Sequence, residues 1–444
     1  NNTATNTNGT NLAISCNSGN REFYNNNLAP VNTILIDDNT VQNCNIPKGL
    51  FRALSYNRFD TLGANTVTFS NNQVINNTST ADTASAFVFG GIISQPAVNV
   101  YNVTNNTLTN NNWNGPAATA AHPRMIVLSM GWVLPATSWL QVNNVTGNTI
   151  GSNNSTSNGG AVSGIVVETL TAGTALAGSA TNISNNTVGN VTQTSVSTAT
   201  YSGITTTSGT NVAVTITNNV VTNVTRNSAT TGAFDGIRAT GTAKSVIMNG
   251  NTVSNISATG ATTAIFNAIT STGSSTLTDT LAMNNNIVTG NIFAGTGSFI
   301  CMDGGLSAGG ATLTGNQVTN NQKTGASGLF DGVTFTGSTT LTDTLTISNN
   351  TVTGNISNGT STMSCINAGS SVSYLVSNNL VANNTKTTAT TGVFNGLLAG
   401  GSTTSTIRMI FTGNTVRDNS IQGTSDVNLL YATSAVNYSL TNNL

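Results

Sequence analysis

The residues of this chain that could do chemistry are few and scattered. Its single histidine, His122, has no recognisable Ser-His-Asp or Cys-His partner motif, so nucleophilic catalysis has nothing to build on. Paired carboxylates are the other route. Asp235 and Asp331 hold the same place in Phe-Asp-Gly triplets, but 331 − 235 = 96 residues lie between them, three of the repeats traced below. At about 4.8 Å per turn that is roughly 14 Å, too far for two acids to work on one glycosidic bond. Asp279 and Asp343, each in a Leu-Thr-Asp-Thr-Leu run, read as turn residues. No cluster of acidic, His or Cys residues has the spacing of a metal site, and no cofactor motif is present, so the expectation is that the chain is not an enzyme.

Two groups of side chains suggest recognition or modification instead. Trp113, Trp132 and Trp139 are the three tryptophans of the protein and fall in one long repeat with His122, within an insertion at 109–141 that also holds Pro116, Pro123 and Pro135. Tryptophan buries large area at low entropic cost, so these four residues are the candidate binding set for a sugar ring or a neighbouring subunit, the alternative being a loop folded back to brace the solenoid. The run Met125–Leu134 is far too short to span a bilayer. The second group is the Asn-x-Ser/Thr triplets at Asn76, Asn102, Asn105, Asn144, Asn153, Asn182, Asn185, Asn190, Asn223, Asn255, Asn349, Asn355, Asn358, Asn383 and Asn437, which predict N-linked glycans, with O-linked sugars on Ser and Thr as a further possibility. Asn76, Asn190, Asn223, Asn255 and Asn383 recur two residues after an anchoring hydrophobe, which would align their glycans in a column.

What positions these residues is a repeat. The stretch Thr346-Ile347-Ser348-Asn349-Asn350-Thr351-Val352 recurs along the chain, and its second Asn marks the register at Asn39, Asn72, Asn106, Asn148, Asn186, Asn219, Asn251, Asn286, Asn316, Asn350, Asn379, Asn414 and Asn443. From 39 to 443 is 404 residues in 12 steps, a period of about 34 that signals a repeat architecture. The residue types decide which one: Thr, Val, Ile, Ser, Asn and Gly favour strands and turns, and a 3.6-residue apolar period is missing. The expected fold is all-β, a parallel β-solenoid of about 12 coils with three strands per coil. Ile347, Asn350 and Val352 are expected inside, with Ser348 and Asn349 outside around the bend. A second strand carries Phe, as in Gly232-Ala233-Phe234-Asp235-Gly236-Ile237, with Phe266, Phe299, Phe330 and Phe394 as further members. Stacked coils place like residues over one another, so the inner Asn amides hydrogen-bond as a ladder and the Phe rings stack. An unpaired buried amide costs several kcal/mol, which the ladder removes.

These motifs, Asn-x-Val bends and Gly-x-Phe-x-Gly-hydrophobic strands from about Val31 onward, resemble right-handed parallel β-helix, pectin-lyase-like repeat proteins. The Asn/Thr-rich pattern is most similar to the dispersed-gene-family surface proteins of kinetoplastid protists, and the resemblance implies a surface-exposed protein.

Residues 1–30 are polar and read as an N-terminal cap or docking tail, followed by a single solenoid over 31–444. Lys48, Arg52, Arg58 and Asp60 concentrate charge near its start and suggest a recognition end. Cys16 and Cys44, about one coil apart, are expected to form a disulfide. Cys301 and Cys365 lie two coils apart, beyond the usual disulfide reach of about 7 Å. Only 6% of residues are charged, against about 25% in ordinary soluble proteins, and the net charge is −1. Such a surface excludes the basic stripes that nucleic acid or anionic lipid would need. The residues therefore predict an extracellular, glycosylated structural solenoid that assembles end to end with copies of itself, with a glycan-binding adhesin as the alternative.

Overall fold

The computed structural model of the 444-residue chain describes residues 2–3, 10–17, 33–46, 50–57, 66–80, 89–94, 100–114, 123–129, 140–155, 162–168, 175–194, 200–227, 231–260, 263–272, 280–305, 310–336, 344–371, 373–389, 392–401, 408–423, 426–432 and 437–444. They form a parallel β-solenoid. Among the described residues there is no helix, and so none long and apolar enough to cross a membrane.

One coil shows how the sequence dictates the path. Leu345–Ser348 is an anchor strand that points Leu345 and Ile347 inward; Ser348, expected outside, is buried, with its hydroxyl 3.2 Å from that of Thr314 on the preceding coil. Asn349 then turns the chain with φ 55°, a left-handed conformation that Asn and Gly tolerate far better than β-branched residues. Asn350 points inward, and the first leg Thr351–Thr353 buries Val352. A second left-handed residue, Gly354 at φ 68°, brings Asn355 inward before the second leg Ile356–Ser357. The Phe-type strand Met363–Ser371 closes the turn. There are thus three sheets, as expected, but four strands in most coils, because a second left-handed bend breaks the strand after the Asn pair; in Thr187–Gln193 and Val220–Arg226 the two legs remain one strand. Asn, Asp, Ser or Gly occupies both bends throughout, for example Asn105 and Asn110, Gly147 and Ser152, and Asn378 and Asn383.

The chain divides into two compact units, residues 1–215 with 219–228, and residues 216–218 with 229–444. In the first, the Phe-type sheet stacks Thr10–Asn17, Leu50–Asn57, Phe89–Ser94, Pro123–Ser129, Val162–Glu168 and Tyr201–Ser208 in parallel. Coil stacking therefore already includes residues 10–17, ahead of Val31. In the second, the equivalent strands are Phe234–Gly241, Phe266–Thr272, Phe299–Gly304, Phe330–Thr334, Met363–Ser371, Phe394–Gly401 and Val427–Ala432. Six and seven turns depart slightly from the twelve coils expected.

The Asn ladder forms in both units, and every rung repeats one pattern. Asn316 donates its backbone N–H and its Nδ2 to Oδ1 of Asn350, both at 2.9 Å, and Nδ2 also donates to the Met283 carbonyl at 2.8 Å. Its own Oδ1 accepts the N–H and Nδ2 of Asn286. In the first unit Asn72, Asn106, Asn148, Asn186 and Asn219 are linked the same way. A second ladder runs five residues further on, through Asn77, Asn111 and Asn153 in the first unit and Asn291, Asn321, Asn355, Asn384 and Asn419 in the second. The aromatic column is present as Phe234, Phe266, Phe299 and Phe330, with successive centroids 4.5, 4.5 and 5.4 Å apart.

Candidate functional site

The triplet asparagines separate into classes according to where the coil puts them. Asn76, Asn105, Asn185, Asn190, Asn223, Asn255, Asn349 and Asn383 are exposed and sit at left-handed bends, with φ between 53° and 57°. The bend that turns the chain also pushes these side chains outward. Asn102, Asn144 and Asn182 lie half-buried on the outer face of the anchor sheet of the first unit, linked to one another through Nδ2 to Oδ1 bonds of 2.9 Å. Asn358 is half-buried and accepts from Thr387 at 2.7 Å. The side chain of Asn437 lies outside the described residues.

Asn153 and Asn355 correct the expectation. Both are buried in the second ladder, where Nδ2, the atom that a glycan would take, donates to a backbone carbonyl, Leu108 for Asn153 and Val318 for Asn355, each at 2.9 Å. A sugar there would displace the ladder. Mapping of N-linked sites on secreted material is expected to find occupancy among the eight bend asparagines and none at Asn153 or Asn355; a glycopeptide carrying sugar on either of these two would contradict the placement.

The tryptophan set is also reassigned in part. Trp113 is 1% exposed, on the inward column of the second leg between Ser79 and Ser155. It alternates with the outward Asn112, so it fills the core and is not a surface binding residue. Met125, Ile126, Val127 and Leu128 in the same insertion form a buried stretch of the Phe-type sheet. His122, Trp132 and Trp139 lie outside the described residues, as do Lys48, Arg58 and Asp60. Arg52 is half-buried, and burial lowers its pKa.

The expected Cys16–Cys44 disulfide is not formed. Cys44 is a free thiol at the head of the second ladder column, with its N–H on Asn77 Oδ1 at 3.0 Å. Cys16 belongs to the Phe-type sheet, opposite Tyr56, so the two cysteines are held in different sheets. Cys301 and Cys365 are free and fully buried on either side of the strand that carries Gly332. Burial raises both thiols, which makes them inert core residues.

Three buried cations went unnoticed in the sequence. Lys323, Lys386 and Arg226 occupy the same inward position of the second leg as Trp113 and Phe293. Lys323 Nζ donates to the Gly295 carbonyl at 2.9 Å and lies 5.4 Å from the Phe293 ring centroid, and burial holds its pKa down to about 8. Lys386 Nζ donates to the Gly359 and Ser361 carbonyls at 3.0 and 2.6 Å. In the first unit Arg226 Nε donates to Gln193 Oε1 at 2.9 Å. The two lysines tie each coil to a carbonyl of the preceding loop.

Two carboxylates stand on neighbouring strands on the outside of the Phe-type sheet of the second unit. Counting from each Phe, the second and third following residues both point inward, as in Gly236-Ile237, Ala268-Ile269, Cys301-Met302 and Gly332-Val333. Two successive inward residues break the alternation and dent the strand, so the first and fourth residues after Phe lean toward each other across a shallow groove. Asp235 and Arg238 demonstrate it, forming an ion pair of 3.1 Å between positions i and i+3 that a regular strand would hold on opposite faces. Asp331 and Asp303 occupy the same two columns on neighbouring strands, because Asp331 pairs with Ile300 and Asp303 with Thr334. Asp303 is 7% exposed and accepts the Thr336 N–H at 3.1 Å, and the Thr336 hydroxyl lies 2.9 and 2.8 Å from its two oxygens. Burial, and then the Asp303 charge, push Asp331 up to about 7. Asp235 and Asp331 are three strands apart, as the spacing predicts; Asp303 is the acidic neighbour that sequence reasoning missed.

A scan against protein-family models finds no match to the chain, and no curated protein matches it.

Proposed function

We propose that this protein is an extracellular, glycosylated structural β-solenoid that assembles end to end into a surface filament or coat, in keeping with its resemblance to right-handed β-helix surface proteins. The observation that carries this reading is the polarity of the ladders. Each rung donates in one direction along the coils and accepts from the other, so one edge of a coil stack offers N–H and Nδ2 groups and the opposite edge offers Oδ1 atoms. A second copy set head to tail would continue both ladders and all three parallel sheets, and a head-to-tail contact that does not close generates a fibre. Exposed triplet asparagines at the bends, not on the coil edges, would let glycans coat the sides without blocking growth.

Electron microscopy of the native secreted material tests this. Fibres with an axial repeat of about 4.8 Å per coil are expected. Dispersed single particles would overturn the polymer, and the adhesin reading would replace it if glycan binding were lost on Trp132→Ala with Trp139→Ala.

A further inference from the structure

The groove on the second unit brings together two carboxylates with no cation between them. Asp303 and Asp331 come from adjacent coils and lean into the same dent; among the described residues neither forms an ion pair, and the segments that follow their strands, 306–309 and 337–343, contain no basic residue. The groups that face Asp331 are Asp303 from the preceding coil and the buried Cys301 beneath, whose thiol the Asp331 charge raises further. Arg238, the one cation on this groove in the described residues, lies three strands from Asp331 and is committed to Asp235. Burial raises Asp303 as well, but the Thr336 N–H and hydroxyl serve it and offset part of that rise, so the negative charge is favoured on Asp303 and the proton on Asp331.

We propose that the Asp303–Asp331 pair is a pH-sensitive clasp between coils, closed when Asp331 holds its proton and loosened when both carboxylates are charged. Closed, the pair carries a single charge within the dent. Open, two like charges from neighbouring coils stand in a groove where water is scarce, and each pushes its own strand away from the other. The sign follows from proton binding. Asp331 is raised above the ordinary carboxylate value, so between about pH 4 and 7 the folded chain binds more protons than the unfolded one, and stability falls as pH rises through that window. This is opposite to the usual behaviour of a salt-bridged carboxylate. It would place the most cohesive state of these coils in mildly acidic surroundings.

The test is hydrogen exchange of the intact chain between pH 4.5 and 7.5, corrected for intrinsic rates, read on peptides covering 299–305 and 330–336, with thermal unfolding alongside. Protection of these peptides is expected to fall by at least roughly tenfold across the range, while peptides from the first unit hold steady. Asp331→Asn should remove the pH dependence and keep protection high at pH 7.5, and Asp303→Asn should reduce it by removing the repelling charge. Asp235→Asn, which breaks the Arg238 pair, should leave the slope at 299–336 in place. A flat profile in the natural chain, or an unchanged slope in both Asp331→Asn and Asp303→Asn, would overturn the clasp.

Discussion

Asn316→Ala is expected to lower the unfolding free energy by roughly 3–5 kcal/mol, a large share of the stability of an ordinary domain. The residue is fully buried and joins two neighbours. Its removal strands the Asn286 N–H, takes one of two acceptors from Asn286 Nδ2, and takes the side-chain donor from the Met283 carbonyl and from Asn350 Oδ1, which keeps only the backbone N–H of residue 316. Each buried group left without a partner costs about 1–3 kcal/mol, and part of that is recovered by relaxation of the cavity. Urea unfolding would read the loss as a fall in midpoint at constant slope. Asn349→Ala provides the contrast. That side chain is exposed, so only the left-handed backbone preference is lost, about 1 kcal/mol. Equal losses in the two variants would show that the ladder contributes little beyond the bend.

Phe299→Ala is expected to cost about 3–5 kcal/mol by the same measurement, and Phe299→Leu about 1 kcal/mol. Phe299 is the centre of the aromatic column, 4.5 Å from Phe266, 5.4 Å from Phe330 and 6.0 Å from Phe293 by ring centroids, and wholly buried. Truncation removes ring contacts on three sides. The strands on either side are pinned by their backbone ladders, so the void has little freedom to collapse. Phe394, whose in-register neighbours are Met363 and Val427, has no stacked ring among the described residues, so Phe394→Ala should cost less. A reversal of that order would mean that the column is not the core's main prop.

The main lines of the fold were legible because the solenoid writes them at a fixed place. Asn-Asn-x-Val names a left-handed bend, a ladder rung and a core residue in four letters, and the same letters return at every coil. The second ladder was obscured for two reasons. Its bend residue is variously Asn, Ser, Gly or Asp, as at Asn76, Ser152, Gly354 and Asp418, since any residue that tolerates positive φ will serve. Its rungs are also interrupted, with Val191 and Val224 in the first unit and Ile256 in the second taking the inward place of Asn. Reading those bends as triplets for sugar therefore swept Asn153 and Asn355 into the wrong class. Trp113 was misplaced because aromatic content was weighed without the in-out alternation set by Asn111. The groove was hidden because strand periodicity puts positions i and i+3 on opposite faces, and only a dent of two inward residues, set by Gly332-Val333 and its equivalents, puts Asp303 and Asp331 on the same face of adjacent strands.

The rungs of the ladder are separated by as few as 29 residues and as many as 42, yet their hydrogen bonds stay between 2.8 and 3.2 Å. The interior measures the chain in whole coils, and the loops absorb the difference. An in-frame tandem duplication of one coil therefore adds a rung whose donors and acceptors are met from the outset, by neighbours already of the right kind. Lengthening costs no period of half-built structure, so recombination between repeats can change the number of coils in a gene of this type while each intermediate product still folds.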